Sequence, residues 1–302
     1  MVSTYIDHIT YLKQPTGLTL TTYVGNNARL SANVLADATS LTVPVTTVAL
    51  SQYDPVYVFD GPNSEQLQVG SGGAILGATS IPLQVATAFA HNAGTPYCTD
   101  GTAGSLGEQI FIASRWIEDD ICHQALWQTA YTNEILTMPT MRASIDSQRN
   151  LHFRPRHFPI TTLTSLSIMT VQGNSISYDP TAAIIDSDQQ TVDIPMLTAV
   201  GGNQANQGNP WLWRTVNRTS NAWLTLAYTA GFAVGALPPP VTRACTLLTS
   251  ECFSTLVNPT GADQINQGKR SVMFMLRGDT SGESLLIKNA IKYLTPYIAE
   301  SF

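Results

Sequence analysis

Ser105-Leu-Gly-Glu-Gln-Ile-Phe-Ile-Ala-Ser-Arg-Trp-Ile-Glu-Asp-Asp-Ile121 is where the hydrophobic period of the chain changes. Ser105-x-x-Glu108 has the form of a capping box, in which each side chain satisfies an orphan amide of a helix N-terminus. Behind it, Leu106, Ile110, Ala113, Ile117, Ile121 and Ala125 recur at steps of three and four. That spacing predicts an amphipathic helix over roughly 105–131. The Glu118-Asp-Asp120 triplet fans widely around this helix and reads as a solvated or interface face, not as paired catalytic carboxylates.

Upstream, from about Leu30 to Thr99, strands and turns are expected. Leu41-Thr-Val43, Pro55-Val-Tyr-Val-Phe59 and Glu65-Gln-Leu-Gln-Val69 are β-branched, aromatic or alternating. Asp60-Gly-Pro-Asn63 and Gly70-Ser-Gly-Gly73 are turn clusters. Asp37-Ala-Thr-Ser-Leu-Thr-Val43 is echoed by Gly77-Ala-Thr-Ser-Ile-Pro-Leu83, which fits two equivalent hairpin arms of one small sandwich or barrel.

Downstream, 139–232 return to short strands: Leu163–Ile168, Ala183–Ile185, Thr191–Ile194 and Trp223–Tyr228. Gly201–Asn209 has no apolar period and reads as a loop. Pro238-Pro-Pro240 opens a second helix, Pro being tolerated in a first turn, with a stripe of Val241, Ala244, Leu248, Cys252 and Leu256 stopped by Asn258-Pro259. A third helix is expected after Thr280-x-x-Glu283, with Leu286, Ile287, Ala290, Ile291 and Leu294 ahead of Pro296. The predicted class is α+β: a helical core with a small sheet, plus an N-terminal all-β inserted domain. The expected divisions are 1–27, a segment joining the core; 28–100, the β insert; and 101–302, the core.

The 302 residues carry 15 Lys and Arg, 21 Asp and Glu, and 37 Thr, so threonine alone outnumbers all charges. This composition is neither disordered nor suited to a conventional duplex-DNA face, which needs clustered cations. It suits a surface largely covered by other protein, because interface cores are depleted in charge. Residues 28–100 hold four of the six net negative charges, with Arg29 against Asp37, Asp54, Asp60, Glu65 and Asp100.

Cys98, Cys122, Cys245 and Cys252 form no Cys-x-x-Cys pair and are read as free thiols. No apolar run is long enough for a membrane span, and no signal peptide is visible. No nucleophile elbow, Walker loop or dinucleotide fingerprint occurs. His152 and His157 flank Phe-Arg-Pro-Arg, whose proline rules out a helical ligand pair. No catalytic residue, cofactor site or metal site is therefore expected, and no enzymatic activity.

Two basic groups stand out: Arg154 with Arg156, and Lys269-Arg270 with Arg277. They are ordinary strand-edge and helix-terminus charges, or they pair with acidic groups of a neighbouring subunit or with DNA phosphates. Asn266–Met275 is a strand added to a partner's sheet edge, or a loop on its own core.

Four pieces of the chain resemble the tailed-phage head–tail connector (adaptor) family. Tyr228-Thr-Ala-Gly-Phe232, then Leu237-Pro238, then a helix with Val241, Arg243 and Ala244, resembles that family's C-terminal half. Ile112-Ala-Ser-Arg-Trp-Ile117 resembles its first helix. Arg154-Pro-Arg-His-Phe-Pro-Ile160 and Leu163–Ile168 resemble its proline turn and Thr-Ser strand. Residues 28–100 depart from the family as an insertion, resembling a small β module that recurs in phage structural proteins.

The resemblance implies a non-catalytic virion protein of the neck, made in the host cytoplasm. It implies a homo-oligomeric ring, usually of twelve copies, that binds the portal protein and a neck stopper or tail-terminator protein and extends the channel through which viral DNA passes. It assigns the portal-contacting segment to about Lys269–Phe302, with Tyr293, Tyr297 and Phe302 as apolar anchors. The alternative is another phage tail or neck structural protein with a glycan-binding or decorating β module, for which Trp211 and Trp213 are candidates.

Overall fold

A computed structural model describes residues 3–13, 26–99, 106–138, 143–145, 150–169, 175–186, 190–195, 199–200, 222–257, 264–267, 270–273 and 284–299. The chain divides into two compact units: Met1–His123 with Val234–Ile298, and Gln124–Ala233 with Ala299–Phe302.

The first unit begins with α1 (His8–Lys13), followed by six short strands: β1 (Asn27–Arg29), β2 (Ser40–Thr42), β3 (Pro55–Val58), β4 (Glu65–Gln68), β5 (Ser80–Pro82) and β6 (Pro96–Thr99). They form a four-stranded sheet of order β1-β6-β3-β4 and a β2-β5 ribbon. The sequence echo is a pseudo-twofold axis. The axis runs through the Leu41↔Ile81 pair of the ribbon and the Tyr57↔Cys98 pair of the sheet.

Hydrogen bonds on either side of the axis match. Asp37 N donates to Thr87 O as Gly77 N does to Thr46 O. Thr46 N donates to Ala78 O as Thr87 N does to Ala38 O. Thr46 Oγ1 donates to Ile75 O as Thr87 Oγ1 does to Leu35 O. Inward residues of both halves form one core, with Leu30 and Val69, Val34 and Ala74, Leu41 and Ile81, and Val43 and Leu83 in equivalent places.

The capping-box stretch forms α2 (Leu106–Arg115), continued by a π-helical turn over Trp116–Cys122 and ended by left-handed His123 (φ 53°). Its stripe is buried as expected at Leu106, Ile110, Ala113, Ile117 and Ile121. The helix is shorter than expected, however, because residues 129–131 belong to a strand. Helices α3 (Pro239–Val257) and α4 (Leu285–Leu294) follow the second and third predicted stripes. Ser284 caps α4, accepting from Ile287 N at 3.2 Å; Thr280 and Glu283 lie outside the described residues.

The N-terminal segment straps this unit together. Thr4 N donates to Gly61 O and Tyr5 N to Ser114 Oγ. The Ser3 and Tyr5 hydroxyls donate to Glu118, and the Tyr11 and Ser250 hydroxyls share a hydrogen bond of 3.0 Å.

The second unit is two sheets around one core. Its strands are β7 (Thr129–Met138), β8 (Ala143–Ile145), β9 (Asn150–Phe153), β10 (Ile160–Met169), β11 (Ser175–Tyr178), β12 (Ile184–Asp186), β13 (Thr191–Pro195), β14 (Ala199–Val200) and β15 (Ala222–Ala230). The sheet orders are β14-β11-β10-β15-β7 and β12-β13-β9-β8. Strand β15 alternates buried and half-buried along its whole length, so Ala222, Leu224, Leu226, Tyr228 and Ala230 face the core. A hairpin, β16 (Gln264–Gln267) with β17 (Arg270–Met273), lies in the C-terminal part of the chain.

The predicted helical core with a small sheet is thereby corrected: the protein is mostly β, with seventeen strands in five sheets against four α-helices among the described residues. The error arose at 124–138. Ala125 continues the helical step, yet Thr129-Ala-Tyr-Thr-Asn-Glu-Ile-Leu-Thr-Met138 pairs with β15 as a long strand. Thr- and Tyr-rich residues prefer that pleated surface once a sheet exists to receive them.

Two outcomes follow. Leu41→Ala and Ile81→Ala each remove a fully buried side chain on the pseudo-axis, and each is expected to cost about 2–5 kcal/mol in urea unfolding of the whole chain. The His8 ring is fully buried and packs 5.2 Å from Phe59, and among the described residues no group lies within ordinary hydrogen-bond geometry of either ring nitrogen. Burial, opposed by Asp7, lowers its pKa to about 4. The unfolded chain then binds the extra proton first, so stability should fall as pH drops from 6.5 toward 4. His8→Phe should flatten that limb of a melting-temperature profile.

Candidate functional site

Two of the resemblance motifs meet in the second unit. The turn 154–159 between β9 and β10 packs on the end of β15. Tyr228, buried on β15, donates through its hydroxyl to Glu134 Oε2 and accepts from His157 N at 3.3 Å. His157 Nδ1 lies 3.1 Å from the same hydroxyl.

Glu134 reaches this position because β7 carries a bulge opposite Ala227, with Asn133 at φ 61°. Its Oε1 accepts from Arg156 N at 2.8 Å, so one carboxylate ties the turn to the strand. The His157 ring stacks on Tyr131 at 3.8 Å and 7°.

Burial pushes the Tyr228 hydroxyl pKa well up, and Glu134 adds to the effect. Burial lowers that of His157, against the pull of Glu134. The state these environments favour is a neutral tyrosine that donates to the Glu134 carboxylate and lies beside a neutral imidazole. Below the cluster, Gly231 (φ 102°) donates to Pro159 O. A Cβ there would lie 2.6 Å from the Trp127 carbonyl carbon, so the Gly of Tyr-Thr-Ala-Gly is required by close approach as well as by its dihedral.

The other two motifs meet in the first unit. Ser114 of Ala-Ser-Arg donates to Ile110 O and lies 3.6 Å from Cys245 Sγ on α3. Cys245 is a free, buried thiol, pushed up to about 12 by burial, so it is packing material rather than a nucleophile.

The sequence-predicted interface residues are not one patch. Arg154 is half-buried and donates to Gln190 Oε1 at 2.6 Å, whereas the Arg156 side chain is exposed. Both sit on the Tyr228-bound turn of the second unit. Tyr293 and Tyr297 are half-buried at the end of α4 in the first unit, and the Arg243 guanidinium lies 5.5 Å from the Tyr293 ring centre. Arg270 pairs with Gln267 in the β16–β17 hairpin. Lys269, Arg277 and Phe302 lie outside the described residues, as do Trp211 and Trp213. His152 is held by Asp193 at 2.5 Å, so it and His157 serve separate partners.

Sequence reasoning missed a surface feature of the β module. Leu35 and Ile75 are 75 % and 76 % exposed, and Val45 and Val85 62 % and 68 %. The paired Thr87–Leu35 and Thr46–Ile75 hydrogen bonds put Leu35 and Ile75 at equivalent places about the pseudo-axis, and the sequence echo aligns Val45 with Val85. Extending the echo by two residues at each end, to Leu35 and Val45 in one copy and Ile75 and Val85 in the other, would have revealed them. Single exposed aliphatics are ordinary, whereas a duplicated pair is a candidate contact surface.

Among the described residues no helix is long and apolar enough to cross a membrane, and no group of three or more His, Cys, Asp or Glu could hold a metal ion. No protein-family model and no curated protein matches the chain.

Tyr228→Phe leaves the half-buried Glu134 carboxylate without its hydroxyl donor. It is expected to destabilise the second unit by about 1–3 kcal/mol, measured by protease protection of 124–233 against urea.

Proposed function

We propose that this chain is a structural protein of the tailed-phage neck: a head–tail adaptor whose copies form a ring. The ring binds the portal vertex, carries the next neck or tail protein and surrounds the path of the DNA. The observation that carries the reading is the pairwise meeting of the four family-like pieces. The Tyr-Thr-Ala-Gly strand end packs on the Arg-Pro-Arg-His-Phe-Pro turn through Tyr228 and His157. The Ala-Ser-Arg helix packs on the Pro-initiated helix α3 through Ser114 and Cys245. Residues that make short, common motifs in sequence are here the ones that hold elements together.

Composition supports the same role. A chain with 12 % charged residues avoids desolvating many ions when neighbouring copies cover its surface. Its net charge of −6 also avoids an Arg-rich lining that would hold passing phosphates. The role is proposed for a mostly β protein, with the duplicated module as its addition to the family pattern.

Negative-stain imaging of the purified chain mixed with portal rings is the test. Added density on the portal, in rings of about twelve copies, is expected. Particles produced without the chain should leak DNA and lack tails. A portal that never binds the chain, together with fully tailed particles made in its absence, would sink the reading.

A further inference from the structure

The pseudo-twofold axis makes one half of the β module a built-in control for the other. In the first half, the turn 47–48 is held by Asn26, whose Oδ1 accepts from Thr47 N at 2.6 Å and Val48 N at 3.1 Å. In the second half, Glu65 does the same work, accepting from Ala88 N at 2.9 Å and Phe89 N at 2.8 Å. Just beyond each turn, the chain makes a two-way backbone bridge. Leu50 pairs with Ala74 in the first half, and His91 with Val34 in the second. A neutral Asn and Leu in one half are thus replaced by a carboxylate and an imidazole in the other.

The His91 side chain is fully buried between two carboxylates. Nδ1 lies 2.9 Å from Asp60 Oδ2 and Nε2 lies 3.0 Å from Glu65 Oε1. Asp60, in the turn after β3, and Glu65, at the head of β4, are the charged groups facing the ring among the described residues. Val34 opposite contributes only backbone. Both carboxylate contacts are hydrogen bonds only while both ring nitrogens carry a proton. Loss of one proton turns one contact into a lone pair facing a carboxylate in a buried site.

We propose that His91 is a pH-sensitive latch on the second half of the module. The doubly protonated ring pins the 84–91 segment through Asp60 and Glu65, and deprotonation releases it, while the equivalent first-half segment held by Asn26 and Leu50 does not respond. The latched segment carries exposed Val85, and its Thr87 holds the backbone of Leu35. Release therefore alters one of the two equivalent apolar pairs and leaves Ile75 with Val45 in place. Burial of the ring opposes the proton, yet the hydrogen bonds and charges of Asp60 and Glu65 outweigh it and raise the His91 pKa. A raised folded pKa means that the latch contributes stability below the unfolded value of 6.5 and loses it as pH rises through the folded value.

The test is amide hydrogen exchange on the full chain. The rate for the Val34 and His91 amides is divided by that for the Leu50 and Ala74 amides, which cancels the ordinary base catalysis of exchange. The ratio should rise tenfold or more between pH 6 and pH 9. In His91→Leu/Glu65→Gln, which gives the second half the neutral chemistry of the first, the ratio should stay flat. A flat ratio in the unaltered protein, or the same rise in the double variant, overturns the latch. Nitrogen NMR of the His91 ring gives an independent reading should that variant fail to fold. Both ring nitrogens should be protonated at pH 6 and one should lose its proton at higher pH, and a neutral single-tautomer ring at pH 6 overturns the proposal.

Discussion

Tyr57 lies where three demands on the first unit coincide. Its backbone pairs with Cys98 on the pseudo-twofold axis of the β module. Its ring packs so close to α2 that a Cβ on Gly107 would fall 2.5 Å from the ring's Cγ. The same ring lies 5.6 Å from Phe111, which also meets Phe59 at 5.9 Å. Glycine in a helix costs about 0.5–1 kcal/mol relative to alanine. Here that cost secures an approach between helix backbone and tyrosine that no other residue allows. Phe59 in turn packs against His8, so the strap, the module and the first long helix share one aromatic cluster.

The second unit solves its packing differently. Its core spans two sheets and is mostly aliphatic with Phe153, Tyr178 and Tyr228 among it, and the proline turn between β9 and β10 is held by polar contacts to Tyr228 and Glu134. Buried polar groups are costly unless paired, and each group in this cluster has a partner. The bulge in β7 makes this possible by turning Glu134 toward the turn. A regular strand would have kept strict alternation and sent that side chain elsewhere.

The duplicated module shows how far a sequence echo carries. The repeated Ala-Thr-Ser segments were legible, as were β3, β4, β13 and β15, because alternation and β-branching mark half-buried strands locally. The stripes of α2, α3 and α4 were legible for the same reason at helical period. The pairing of the two echoes about an axis was not, since alternation says which face a residue takes but not which strand lies opposite. Residues 129–131 were read as helix because the π-helical turn and left-handed His123 end α2 without the usual Gly or Pro signal. The His91 cluster was invisible because His91 lies 31 and 26 residues from Asp60 and Glu65, whose local patterns mark only a turn and a strand.

The sequence by itself determined the positions of most strands and helices, the scarcity of charge, and the order of the family-like pieces. These depend on side-chain type and short-range period, which the chain carries locally. Only the tertiary structure decided that the protein is mostly β, that the echo is a pseudo-twofold axis, and that Tyr228 meets His157 and Glu134. Those outcomes depend on which surfaces bury one another. Contacts between residues remote in sequence settle that, and no local pattern records them.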